Sequence, residues 1–317
     1  MNINDALKAV DDLLYEVVSS EVDVLEEASR HILLAGGKRI RPRVLFYAYE
    51  ACGGADLSET IPVAAAVELV HTATLVHDDI NDHGRVRRGR VTINEKWGHT
   101  FALLTGDFLF TKVYQLMAPH GDMNVTFAEA TIALVEGETL QAQAARDNSL
   151  NREVYQKIVA KKTASLFRAA AMLGAQLAGA DKATVETLGE YGFFLGLAFQ
   201  IVDDLLDLTG DPRLMGKAAG IDLAQGKGVA VAVAQTSGNG TGDGQAAVAE
   251  AEGAVGVEDD PFLAVKRRLI AQGAVVGGRV MAQAIAGRAG SVLDRLPPGP
   301  GVDGLRSLVG MVINRQN

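Results

Sequence analysis

The chain has a single cysteine, Cys52, one tryptophan, eight prolines and only 5% aromatic residues. A lone cysteine closes no internal disulfide and builds no thiolate metal site, so a reducing compartment is the natural setting and any metal must rest on other side chains. Positive charge is in deficit: 30 Lys and Arg against 39 Asp and Glu leave a net charge of -9. That disfavours gripping a polyanionic duplex, and no nucleic-acid partner is expected. No stretch reaches the about 18 uninterrupted apolar residues of a membrane span. The first segment, MNINDALKAVDDLLYEVV, is acidic where a secretory signal would be basic. The expectation is a cytoplasmic protein with no transmembrane segment.

What is present is enough for a large core. The 317 residues are 48% apolar and 22% charged, which is not the composition of a disordered chain. Apolar residues recur at three- and four-residue intervals through Ala6, Val10, Leu13, Leu14 and Val17, then Val24, Leu25, Ala28, Ile32 and Leu33, a helical period. Nearly continuous apolar helices are expected over Val44 to Ala51, Ile61 to His77 and Thr100 to Met117, and further ones over Thr126 to Arg146, Arg152 to Leu177 and Lys182 to Leu208. No strand ladder is called for. GVAVAVAQ (228–235) reads as a buried helix, TSGNGTGDGQ (236–245) as a mobile loop, and helices are expected near Phe262 to Ile270 and Val280 to Leu296, before PPGPG. The prediction is all-α, with residues 1–317 as one domain; abundant Ala and Gly would leave room for a cavity between helices.

One motif occurs twice, as Asp78-Asp79-Ile80-Asn81-Asp82 and as Asp203-Asp204-Leu205-Leu206-Asp207. On a helix, positions i and i+4 lie about 40° apart and about 6 Å along the axis, so Asp78 shares a face with Asp82, and Asp203 with Asp207. Two such carboxylate pairs beside apolar sequence need counter-charge, and oxygen-only donors favour Mg2+. Cationic clusters accompany them. Gly36-Gly37-Lys38-Arg39-Ile40-Arg41-Pro42 and Arg85-Val86-Arg87-Arg88-Gly89 suit bidentate phosphate recognition, and Lys162, Lys217 and Lys227 add point charges around the second aspartate set.

GGKRIRP, HTATLVHDDINDHGRVRRG, KKTASLF, FQIVDDLLDLTGD and GKAAGIDLAQGK follow one another along the chain. In order and spacing they resemble the trans-polyprenyl diphosphate synthases. The resemblance implies the isoprenoid synthase fold, a large helical bundle with a central cavity. It also implies a reaction: isopentenyl diphosphate is condensed with an allylic prenyl diphosphate to give a longer all-trans polyprenyl diphosphate. Asp78, Asp82 and Asp203 would hold Mg2+, three ions per site with substrate bound, supported by Asp79, Asp204 and Asp207. Arg87, Lys162, Lys217 and Lys227 would neutralise the allylic diphosphate, and Lys38, Arg41, His71 and Arg88 would hold isopentenyl diphosphate. Thr163 and Gln200 would soften the carbocation's charge. His77 and His83 are expected to be structural or rim residues.

Five residues before Asp78 stands Ala73, followed by Thr74, where short-chain members of that family often carry a bulky aromatic. About 7.5 Å of helix separates Ala73 from Asp78, so a small side chain there would leave a tunnel open, and a product of geranylgeranyl length or longer is expected. The family also implies a homodimer, with Thr100 to Met117 as a candidate interface helix. One departure is that Lys227 is followed by Gly228-Val229-Ala230 instead of a proline-marked helix start.

Overall fold

A computed structural model of the chain describes residues 1–147, 149–209 and 273–315. Lys217, Lys227, the 228–235 helix, the 236–245 loop and the helix expected near Phe262 lie outside the described residues. Within them the secondary structure is helical apart from one two-residue ladder. In order come α1 (Ile3–Val17), α2 (Asp23–Leu33), α3 (Ile40–Ala51), α4 (Ile61–Asn81), β1 (Val86–Arg87), β2 (Arg90–Val91), α5 (Ile93–Trp97) and α6 (His99–Met117). They are followed by α7 (Met123–Arg146), α8 (Arg152–Val159), α9 (Ser165–Leu177), α10 (Lys182–Thr209), α11 (Ala274–Val292) and α12 (Pro300–Ile313).

The contacts group into two compact units. The first comprises Met1–Thr131, Leu166–Gly192 and Val292–Leu308; the second comprises Ile132–Ser165, Phe193–Ser291 and Val309–Asn317.

In the first unit, α4 is apolar on nearly every face, and Ala64, Val67, Val70 and Ala73 are fully buried. Such a helix belongs at a centre. It is long and apolar enough to cross a membrane, but 72% of that window is buried inside the protein. Leu14, Phe46, Leu109, Phe167, Leu188 and Tyr191 fill the core around it. Glycine permits the closest approaches: a Cβ on Gly174 would strike the carbonyl of Leu45, and one on Gly192 that of Phe167. One buried charge pair also belongs here. Arg39, in a left-handed conformation (φ 47°) just before α3, donates to Glu68 at 2.6 Å and to Asp11 at 2.8 Å.

The core of the second unit is built from Tyr155, Ile158 and Val159 of α8, Ile201 and Leu205 of α10, and Ala282 of α11. Asn151 caps α8 by accepting the Val154 amide at 2.9 Å, the usual role of Asn at that position.

The sequence reading needs correction at three points. A ladder does exist: Val86 pairs with Val91 and Arg87 with Arg90. At two residues per strand it is too short to leave an alternation signal. Its turn, Arg88-Gly89, has positive φ at both positions (50° and 73°), the conformation of a tight two-residue hairpin. Second, the run from Arg152 to Leu177 is interrupted by a π turn at Ala160–Ala164. Third, a helix that the sequence reading did not name follows: Pro300 of PPGPG opens α12, where its missing N–H costs nothing.

Candidate active site

In the first unit, α4 carries its aspartates to its C-terminal end. The helix runs to Asn81 and Asp82 is its cap, so Asp78 and Asp82 are one turn apart and both partly exposed. Asp79 points elsewhere. It is buried, and its Oδ1 accepts a hydrogen bond from Arg87 Nε at 2.8 Å. Gly84 donates its amide to the Asp79 carbonyl at 2.9 Å, after His83 has turned the chain at φ 51°. The hairpin bearing Arg87 and Arg88 is thus fastened to the end of the helix that bears the acidic motif.

The cations of this unit converge on His71. Burial first, and then Arg41, Arg88, Arg87 and Arg39, hold its pKa well below 6.5, so the ring is neutral. A small cavity of about 10 Å³, room for roughly one water, is lined by Gly36, Arg39, Glu68, His71, Arg87 and Arg88. Arg88 reaches the glycine turn before α3: a Cβ on Gly37 would stand 3.0 Å from its Nη1. Arg41 lies with its guanidinium carbon 4.7 Å from the Phe167 ring centroid, and Lys38 is exposed beside it in sequence. Several guanidinium groups around a neutral imidazole make an anion site. His77 is stacked on Phe110 at 6.0 Å and lies 3.5 Å from Asp107. Ala73 is fully buried and Thr74 nearly so, its hydroxyl donating to the His71 carbonyl at 2.8 Å.

In the second unit, the other acidic motif lies in the last two turns of α10. Asp203 is 49% exposed and faces Arg315, whose Nη2 is 3.2 Å from its Oδ1. The Arg315 guanidinium also lies over Phe199, 4.6 Å from the ring centroid, one turn before Asp203. Asp204, about 100° further around the helix, is buried and accepts from Tyr155 Oη and from Gln200 Nε2, each at 2.7 Å. Thr163 Oγ1 donates to Gln200 Oε1 at 2.7 Å.

Lys162 and Thr163 sit in the π turn, a local widening of the helix that recurs at functional sites. Lys162 pairs with Glu138 at 2.5 Å and Lys161 pairs with Glu136. Between those two glutamates, Gly137 lets α7 lie directly against the turn. The sequence reading missed Tyr155, Gly137, Glu138 and Arg315. None carries a local signal: Tyr155 meets Asp204 across 49 positions of chain.

Among the described residues, no three His, Cys, Asp or Glu side chains are grouped so as to hold a metal ion by themselves. The donor set nevertheless suits Mg2+, which prefers oxygen, keeps several waters and is completed by substrate phosphate. Asp203 also already faces a cation, the guanidinium of Arg315.

A family model described as polyprenyl synthetase matches residues 22–250, a span that includes both acidic motifs and the cationic turns. The chain belongs to the polyprenyl synthetase family. Among its relatives, the octaprenyl diphosphate synthase of Escherichia coli strain K12 is 38% identical over 223 residues, covering 70% of this chain and 69% of the relative. The heptaprenyl diphosphate synthase component 2 of Geobacillus stearothermophilus is 41% identical over 226 residues, covering 71% and 70%. Among solved structures, the polyprenyl synthase of Caulobacter crescentus CB15, complexed with calcium and isoprenyl diphosphate, superposes with a TM-score of 0.91 at 33% identity, covering 99% of this chain and 96% of that one. The all-α isoprenoid synthase fold expected from the sequence is the fold observed.

Proposed function

We propose that this polyprenyl synthetase is a trans-prenyltransferase that joins isopentenyl diphosphate to an allylic diphosphate, releasing diphosphate and an all-trans chain of geranylgeranyl length or longer. The observation that carries the reading is the pairing, within a member of this family, of two i, i+4 aspartate sets with guanidinium groups gathered around His71. Relatives named for octaprenyl, heptaprenyl and geranylgeranyl products support the product class.

In this proposal Asp78, Asp82 and Asp203 hold Mg2+ ions, three per site. Bound there, Mg2+ would supply charge withdrawal from the allylic diphosphate, whose C–O bond breaks with the electron pair leaving on oxygen. Arg87, Lys162, Lys217 and Lys227 neutralise the departing oxygens. Lys38, Arg41, His71 and Arg88 hold isopentenyl diphosphate with its double bond against the allylic cation, so that proximity drives formation of the new C–C bond. Thr163 and Gln200 turn oxygen lone pairs toward the cation. The proton lost in forming the new double bond passes to the released diphosphate, so no side-chain nucleophile is needed.

Ala73 and Thr74 are assigned to the tunnel that receives the growing chain. A homodimer is proposed through α6, which exposes Phe101, Leu103, Leu104 and Tyr114, the last at 74%. The assignment to the cytoplasm, and to one domain spanning residues 1–317, is part of the same proposal.

The test is to incubate the purified chain with Mg2+, isopentenyl diphosphate and each allylic primer, and to measure product mass. Formation of prenyl diphosphates of 20 carbons or more, abolished by Asp78→Ala or Asp203→Ala, is expected. No product from the chain alone would overturn the reading as a self-sufficient enzyme.

A further inference from the structure

The network beneath Asp203 is oriented throughout. Asp204 is a shared acceptor: Tyr155 donates its hydroxyl to Oδ2 and Gln200 donates its amide nitrogen to Oδ1. This leaves one orientation for the Gln200 amide, with its carbonyl oxygen toward Thr163. That oxygen receives the Thr163 hydroxyl hydrogen at 2.7 Å. With its hydrogen spent on Gln200, the Thr163 oxygen offers lone pairs to whatever else it faces, and the Gln200 carbonyl keeps a second lone pair. The result is a pair of adjacent oxygens that keep lone pairs outside the network, next in sequence to Lys162 and one turn from Asp203. Tyr155 anchors the arrangement: its side chain is buried at 4% exposure, and it stands on α8, two turns before Lys162.

We infer that Tyr155 is a positioning residue for prenyl transfer, acting through Asp204 to hold the Gln200 amide with its oxygen toward Thr163. The inference rests on the function proposed above. The site needs it because an amide offers two edges of similar shape and opposite polarity. If Gln200 turned over, its N–H groups would replace a lone pair beside a developing carbocation, and the electrostatic stabilisation would change sign. Tyr155 touches neither substrate nor metal in this assignment. Its effect therefore falls on the chemical step and spares ground-state binding.

The experiment uses the full chain and two substitutions, Tyr155→Phe and Gln200→Ala, singly and together, with Asp204→Asn as a second probe. The rate of the first condensation in a single turnover, KM for both substrates and the melting temperature are measured. Tyr155→Phe, which removes only the hydroxyl, is expected to slow the single turnover by about tenfold or more while KM stays within roughly twofold. Combined with Gln200→Ala it should cause no further slowing, because two residues acting as one unit are not additive. Asp204→Asn, which can donate to Gln200 and so invert its amide, should reproduce the loss even if Tyr155→Phe folds poorly.

A wild-type rate in Tyr155→Phe, or an undiminished effect of Tyr155→Phe in the Gln200→Ala background, overturns the inference while leaving the proposed function standing. A raised KM with an unchanged single-turnover rate likewise overturns it, as that is the mark of a merely structural tyrosine. A wild-type chain that forms no prenyl product overturns the proposed function itself, and the inference with it.

Discussion

Gly137 presses its bare α-carbon against the main chain of Lys162: a Cβ at position 137 would stand 2.5 Å from the Lys162 amide nitrogen and 3.0 Å from its Cα. Backbone cannot move aside as a flexible side-chain tip can, so the contact requires glycine.

Gly137→Ala is accordingly expected to destabilise the protein even though alanine is the better helix former by about 1 kcal/mol. Overpacking against backbone costs about 1–3 kcal/mol, which outweighs the propensity gain. The π turn would be displaced with Lys162 and Thr163 on it, so kcat should fall more than the melting temperature alone explains. A stabilised, fully active alanine variant would show that the turn does not depend on this contact.

Removing the carboxylate of Glu68 should be among the most damaging changes to stability. Glu68 is 3% exposed and Arg39 donates to it at 2.6 Å. Leaving one partner of a buried pair uncompensated costs about 3–5 kcal/mol. Urea denaturation of Glu68→Ala should show a loss of that size, with Glu68→Gln, which can still accept one hydrogen bond, losing less.

The titration of His71 should lie far below that of an unperturbed imidazole. Burial and the surrounding arginines keep its folded pKa well below the 6.5 of an unperturbed ring. Below about 6.5 the unfolded chain therefore binds a proton that the folded chain refuses. The stability His71 contributes is complete above that pH and falls away as pH drops through it toward the folded value. A bound diphosphate adds negative charge among the arginines and should raise the pKa, so binding takes up protons. Histidine NMR with and without inorganic diphosphate reads both effects; a ring that titrates at its ordinary value in the free protein would remove the premise.

Ala73→Phe should shorten the product. The alanine is fully buried, so the ring must be accommodated at an overpacking cost of about 1–3 kcal/mol, and the tunnel is the space proposed to yield. Mass spectrometry of the products, alongside a melting curve confirming that the variant folds, distinguishes shortening from simple damage. An unchanged chain length in a folded variant would remove Ala73 from the tunnel.

Much of this was legible in the sequence, for reasons that can be named. The centre of the first unit could be read because α4 is apolar on almost every face, and the acidic pairs because a spacing of four aligns carboxylates on any helix. What escaped was set by distance in sequence or by brevity. Arg87 pairs with Asp79 only because a two-residue ladder folds the chain back, and a ladder that short has no pattern to read. The interruption at Ala160–Ala164 packs against Gly137, more than twenty positions earlier. The partners of the inner aspartates are only partly local: Gln200 stands one turn before Asp204 on the same helix, whereas Tyr155 reaches Asp204 from α8 and Arg87 reaches Asp79 from the hairpin.

A π turn amounts to one surplus residue threaded into an α-helix, which makes Ala160–Ala164 a natural place for the chain to lose a residue. Excising one position there would let α8 and α9 fuse into a single uninterrupted rod, each keeping its phase with the neighbours it already has. The fold would survive the excision, while the lysine and threonine now lifted by the bulge would rotate off their present bearing. In this helix the proposed chemistry hangs on a residue that the architecture could do without.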